Sequence, residues 1–164
     1  MNKACQTSED ERIVVWTMLL EAHATLVDIL EAELADVGGL PLTWYDVLVQ
    51  LEMSDSGRLT MKDLSRSVLL SKSGITRLID RMENAGLIKR EACPTDRRVV
   101  YARVTPKGQQ MFGAAAPVHL RGIHEHFSRH LTAEETRAMK SALAKVLQAA
   151  GERHAEHASE RAAG

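Results

Sequence analysis

Between residues 58 and 107 the chain carries 12 Lys or Arg against 5 Asp or Glu. Within that stretch Ser71, Lys72, Ser73, Thr76 and Arg77 stand close together, preceded by Arg66 and followed further on by Asp96, Arg97 and Arg98. These residue types suit the holding of a polyanion. Lysines and arginines neutralise phosphates and release their counterions. Small hydroxylated residues at the start of a helix let its backbone come close to a groove, where its N–H groups favour phosphate. Arg77 is expected to touch a phosphate or a base. Arg66 and Lys72, nearer the edges, are expected to touch phosphates. An arginine at a loop tip can enter a narrow, electronegative minor groove. Asp96, two residues before Arg98, can orient that guanidinium through charge-assisted hydrogen bonds. Asp80 either accepts from a cytosine amine or pairs locally.

Other chemistries lack their residues. There is no Gly-rich phosphate loop, nucleophile elbow or supported pair of carboxylates, so no catalytic residues and no enzymatic activity are expected. Aromatic residues make up 4% of the chain, too few for a platform that stacks single-stranded bases. The net charge of −1 conceals an uneven distribution: −9 over residues 1–57, +7 over 58–107 and +1 over 108–164. The cations therefore sit together, and the acidic remainder keeps other surfaces away from a polyanion. Two cysteines, Cys5 and Cys93, make no disulfide framework. No apolar run opens the chain, and residues 13–34 are interrupted by Glu21, His23, Asp28, Glu31 and Glu33, so no membrane partner and a reduced, cytoplasmic location are expected.

The elements that must position these residues follow from periodicity and caps. A first helix is expected over about 10–36, capped by Ser8 with Glu11. Its apolar residues cover more than one stripe, so it needs burial on more than one side. Its own domain could supply that burial, but long helices at both ends of the chain favour a subunit interface. A second helix is expected over 44–53 with Thr43 and Asp46 as its cap and Trp44, Val47, Leu48 and Leu51 facing inward. Thr60 with Asp63 caps a short third helix. Ser71 is expected to cap a fourth, on which Ile75, Leu78, Ile79 and Met82 form one apolar stripe and Ser73, Arg77, Asp80 and Asn84 the opposite face. Gly86 ends it. Strands over 87–91 and 99–104, with a loop at 94–97, form a basic hairpin. Thr105-Pro106 starts a fifth helix, which Pro117 should kink or interrupt. Thr132 with Glu135 caps a sixth, with Met139, Leu143, Val146 and Leu147 buried. The tail from residue 151 is expected to fray.

A capped helix, a turn, a second helix with a polar outer face and a basic hairpin make a winged helix-turn-helix, which sets a helix and a loop against neighbouring DNA grooves. The fold class is mainly α with a small β-hairpin wing. The lobe at residues 42–105 is flanked by long dimerisation helices at 10–36 and 106–150, with a polar tail at 151–164. The segments SKSGITRLIDRMENAGLIKRE, DRR and VTPKG resemble the multiple antibiotic resistance regulator (MarR) family. That family's pattern has a serine-capped recognition helix with T-R-L-x-D-R-L, then D-x-R in the wing and L-T-x-x-G before the next helix. Here Met82 and Val104 replace two leucines. The resemblance covers roughly residues 10–150. It implies a homodimer built from the first, fifth and sixth helices, which binds double-stranded DNA at a pseudo-palindromic, inverted-repeat operator. It further implies a transcriptional regulator, usually a repressor relieved by a small ligand or by oxidation. Carried over residue by residue, Ser71, Ser73, Thr76 and Arg77 become recognition-helix contacts, and Asp96 and Arg98 the wing pair.

The effector is less legible. Family members place a small ligand between the dimer base and the DNA-binding lobe, which points here to Trp16, His23, Trp44, Tyr45 and Leu48, each of which also suits plain core. Arg90 and Arg97 are placed to lower the pKa of Cys93, giving a redox alternative, but a small half-buried strand residue is the preferred reading. His126 and His130, four apart on one expected helix, with His119, His124 and His23, raise a metal alternative, but no ligand set has convincing spacing, so no metal and no cofactor are expected. The competing class is a winged-helix protein-interaction module without DNA binding, which would not need so many cations on one segment.

Overall fold

The structure is a computed structural model that describes residues 10–68, 72–93, 95–96 and 98–163, with side chains described for all of these but 72, 73 and 152–163. Its elements run α1 (Glu11–Asp36), α2 (Leu42–Glu52), β1 (Arg58–Thr60), α3 (Met61–Ser67), α4 (Lys72–Asn84), β2 (Ile88–Ala92), β3 (Val100–Val104), α5 (Pro106–His126) and α6 (Ala133–Ala163), with a 3-10 turn at Ser128–His130 between the last two helices. The result is a mainly helical chain with a small antiparallel sheet.

The chain separates into two compact units, Met1–Ile123 and His124–Gly164. The core of the first is built on α4. Ile75, Leu78, Ile79 and Met82 are all buried, as their spacing requires, and they meet Val47, Leu48 and Leu51 of α2 and Leu64 of α3 in one cluster. Burying each such side chain contributes about 1.5–3 kcal/mol. The opposite face of α4 carries Thr76, Arg77, Asp80 and Asn84, all exposed.

The sheet has three strands in the order β1-β3-β2, all antiparallel, so the expected two-stranded hairpin gains a third strand. Arg58 pairs with Arg103 and Leu59 with Ala102, while Ile88 pairs with Val104 and Glu91 with Tyr101. The period-2 alternation turns Leu59, Ile88, Ala102 and Val104 toward the core and leaves Arg58, Lys89, Glu91, Tyr101 and Arg103 on the other face.

The helix starts correct several expectations. Asp10 caps α1, its side chain accepting from the Arg12 backbone N–H; Ser8, the expected cap, lies outside the described residues. Helix α2 begins two residues earlier than expected, behind Pro41 and with no side-chain cap, so Thr43 and Asp46 do not form one. Proline supplies the extended backbone of that position without a side-chain bond. The Thr60–Asp63 and Thr132–Glu135 caps form as expected, with Asp63 N–H donating to Thr60 Oγ1 at 3.1 Å and Glu135 N–H to Thr132 Oγ1 at 3.2 Å. Pro117 does not interrupt α5.

The junction of α4, β2 and α5 is tied by Thr105. Its hydroxyl donates to the Gly86 carbonyl at 2.7 Å and accepts from the Gly108 N–H at 3.1 Å. Gly86 sits at φ 74°, a left-handed position that favours glycine. At Gly108 a Cβ would collide with the Leu87 carbonyl and press on Val104, so the start of α5 approaches the chain after α4 closely. Lys107 Nζ adds a bond to the Ala85 carbonyl at 2.8 Å.

Helix α1 buries Leu34 but leaves Ile13, Val14, Val15, Trp16, Met18 and Leu20 exposed. It includes an 18-residue window with no more than two charged residues, and its hydropathy of 1.7 makes it long and apolar enough to cross a membrane by length and composition. The interrupting charges are therefore spaced too widely to exclude a span. In the second unit α6 continues as helix to Ala163 instead of ending at residue 151. Leu143, Val146 and Leu147 are exposed and Met139 is half-buried, which corrects their expected burial within the chain.

Candidate nucleic-acid interface

The candidate contact residues lie on α3, α4 and the wing. Arg66 is exposed at the end of α3, and Thr76 and Arg77 are exposed on α4. Lys72 and Ser73 occupy the first turn of α4, but their side chains lie outside the described set, as do Ser71 and Arg97 altogether. The structure thus places Thr76 and Arg77 together on one open helical face, with Arg81 beside them, also exposed. A helix presents such a face to solvent only because the stripe one half-turn away is buried.

The wing tip is organised by Asp96. Its Oδ1 accepts from the Arg98 backbone N–H at 3.0 Å and from Arg98 Nε at 3.4 Å. Val99 N–H closes the loop by donating to the Asp96 carbonyl at 3.0 Å. The Arg98 side chain is 94% exposed. The carboxylate therefore holds the backbone of the tip more tightly than the guanidinium, whose outer N–H groups remain available.

Behind this surface stands a cluster that the sequence reading did not single out. Arg90 on β2 reaches α4 and meets both of that helix's acidic side chains. Its guanidinium donates to Asp80 Oδ1 at 2.6 Å and to Glu83 Oε2 at 2.5 Å, and its backbone N–H donates to Glu83 Oε1 at 2.8 Å. Asp80 thus takes the local partner rather than standing free. On the outer face of the sheet Glu91 serves Lys89 at 2.9 Å, Arg103 at 3.2 Å and Arg58 at 3.8 Å, and Arg58 lies 4.5 Å over the Tyr101 ring. Cross-strand register brings these cations together, and no short sequence spacing announces it.

The Cys93 thiol has its pKa lowered, but not by Arg90, which is committed to α4. The main cause is a hydrogen bond with the Thr95 hydroxyl, 3.2 Å from the sulfur, with further help from backbone groups of Thr95 and Asp96. Among the described residues the histidines do not gather. His126 ends α5 while His130 lies in the 3-10 turn with its Nε2 3.0 Å from the Glu125 carbonyl, so they do not share one helix, and among the described residues no group of three potential ligands forms. His119 instead packs on Tyr45 with ring centroids 4.4 Å apart. Burial pushes its imidazole below the ordinary value, opposed by Asp46 and Glu33.

Within one chain the expected ligand-lining residues lie in different environments. Tyr45 and Leu48 are buried core, Trp44 is half-buried against that core, and Trp16 and His23 are exposed on α1. An open cleft of about 540 Å³ lies between the start of α3 and the wing, lined by Thr60, Met61, Lys62, Asp63, Arg98 and Val100 among others.

Comparison with known proteins agrees with this architecture. The model of the MarR family matches residues 38–99. The HTH-type transcriptional regulator MhqR of Bacillus subtilis is 33% identical over 108 residues, which span 66% of this chain and 72% of that protein. Among solved structures, AbsC, a MarR family transcriptional regulator from Streptomyces coelicolor, superposes with a TM-score of 0.82 at 33% identity, covering 87% of this chain and 96% of that one. Sco3205, a MarR family regulator of the same organism solved in complex with DNA, superposes with a TM-score of 0.80 at 29% identity over 85% of this chain and 87% of that one. With the three-stranded sheet, the polar-faced α4 and the Asp96–Arg98 wing on the same scaffold, the chain belongs to the MarR family of transcriptional regulators.

Proposed function

We propose that this protein is a homodimeric, sequence-specific regulator that binds double-stranded DNA at an inverted-repeat operator, as a repressor released by a small ligand. The observation that carries the reading is the open face of α4 with Thr76 and Arg77, combined with the exposed Arg98 at the wing. In this reading α4 enters the major groove, where side chains read base edges, and Arg98 enters the adjoining minor groove. Ser71, Lys72, Ser73 and Arg97 join these contacts, and Arg66 holds a phosphate. The DNA-bound state of Sco3205, at 29% identity, supports carrying the interaction to this chain.

Dimerisation supplies a partner for surface that one chain leaves open. Trp16 is 55% exposed on α1 and Leu147 71% exposed on α6, each among further exposed apolar side chains. Obligate interfaces bury roughly 2,000 Å² or more and are rich in such residues. Helices α1, α5 and α6 are the proposed interface. It also gives α1 an occupant other than a bilayer and accords with a cytoplasmic location. The small ligand is assigned to the region where the dimer base adjoins the lobe, with Trp16, His23, Trp44, Tyr45 and Leu48 as the proposed surroundings in the assembled dimer.

Selection of bound fragments from the organism's genomic DNA tests the reading. Enrichment of an inverted repeat beside promoters is expected. Failure to enrich any sequence would overturn it in favour of a protein-interaction module.

A further inference from the structure

Helix α4 carries two acidic residues, Asp80 and Glu83, and two arginines, Arg77 and Arg81. Asp80 is three residues beyond Arg77, a spacing at which opposite charges on a helix pair readily. They do not pair here. Both carboxylates are taken by the single guanidinium of Arg90, at 2.6 Å from Asp80 and 2.5 Å from Glu83. Among the described residues no carboxylate is paired with Arg77 or Arg81, which leaves both side chains pointing from α4 without a counter-ion. Arg90 arrives from β2, the strand that leads to the wing, so the same contact joins the two elements that must face neighbouring grooves.

We infer that Arg90 is a positioning residue for DNA binding: by holding Asp80 and Glu83 from β2, it keeps Asp80 from quenching Arg77. The inference rests on the DNA-binding reading above. Arg90 is only partly exposed, with 27% of its side-chain surface open, and its fork is filled by two carboxylates, so it acts through them and not on phosphate. Without Arg90, Asp80 is released beside Arg77. The local ion pair then competes with DNA for the arginine, and an unmatched carboxylate faces the polyanion.

The test is a double-mutant cycle on the full-length protein with a duplex that the parent protein selects from genomic DNA. Arg90→Gln is expected to weaken binding about tenfold, the scale of one lost arginine contact. Asp80→Asn alone is expected to leave affinity within about twofold, because Arg90 already neutralises Asp80. The double variant is expected to regain most of the loss, a rescue that a general loss of packing would not give. A double variant as weak as Arg90→Gln would overturn the inference. If Arg90→Gln does not fold, as read by its melting transition, Asp80→Asn decides alone: a tenfold gain in affinity would mean that Asp80 opposes DNA despite Arg90, and the inference fails. A parent protein that selects no duplex removes the DNA reading itself, and the inference with it.

Discussion

At the wing tip Arg98 stands in solvent with Asp96 as its counter-ion. An ion pair this exposed contributes about 0–1 kcal/mol to stability, so it does little to hold the fold. Arg98→Ala is therefore expected to leave the melting temperature almost unchanged. It should weaken operator binding and reduce the slope of log affinity against log salt by about 1. An unchanged slope across a salt titration would remove Arg98 from the contact set. Two residues below the tip of the hairpin's first arm, Cys93 owes its lowered pKa chiefly to the Thr95 hydroxyl. Thiolate is the reactive form, so Thr95→Val should slow alkylation of Cys93, followed by peptide mass spectrometry, at neutral pH. An equal rate would mean that the hydroxyl does not tune the thiol. The Asp96–Arg98 contact was legible in the sequence because its partners are two residues apart. The cause of the Cys93 shift was not, since sequence proximity suggested Arg90 and Arg97; the fold turns Arg90 toward α4, and Arg97 lies outside the described residues.

Among the elements, the stripe of Ile75, Leu78, Ile79 and Met82 could be read directly because helix periodicity is local. Strand β1 could not. It is three residues long, and its partner β3 is distant in sequence; only tertiary pairing of Arg58 with Arg103 makes it a strand. The same non-locality hid Arg90's hold on α4 and the gathering of Arg58, Lys89 and Arg103 around Glu91. Thr105 links local and distant structure, since it caps α5 while bonding the Gly86 carbonyl across 19 residues. Thr105→Val removes both bonds at constant shape and is expected to cost about 1–2 kcal/mol in chemical denaturation. A loss below about 0.3 kcal/mol would mean that the Thr105 hydroxyl does not hold this junction.

For the whole molecule, the apolar excess of α1 was evident from composition, and so was the concentration of cations in residues 58–107. What composition could not tell was that α6 would leave Val146 and Leu147 open as well. A charge placed on a buried apolar interface is costly unless paired, so Leu147→Asp is expected to shift the protein from dimer toward monomer in sedimentation equilibrium while retaining its helical signal. A monomeric parent protein, or a variant as dimeric as the parent, would exclude α6 from the interface. Within one chain Trp16 is exposed and Leu48 fully buried, and in the proposed dimer a second copy would complete the ligand surroundings.

In the proposed dimer two copies read two half-sites, with the recognition helices entering successive major grooves about 10 bp apart. Binding of the protein to three duplexes tests this most directly: the selected inverted repeat, one of its half-sites alone, and the repeat with five base pairs inserted at its centre. Two chains per duplex are expected on the intact repeat. Binding to the other two should be at least about hundredfold weaker, because a lone half-site engages one copy and insertion of half a helical turn sets the half-sites on opposite sides of the duplex. Equal affinity for all three duplexes would contradict this arrangement.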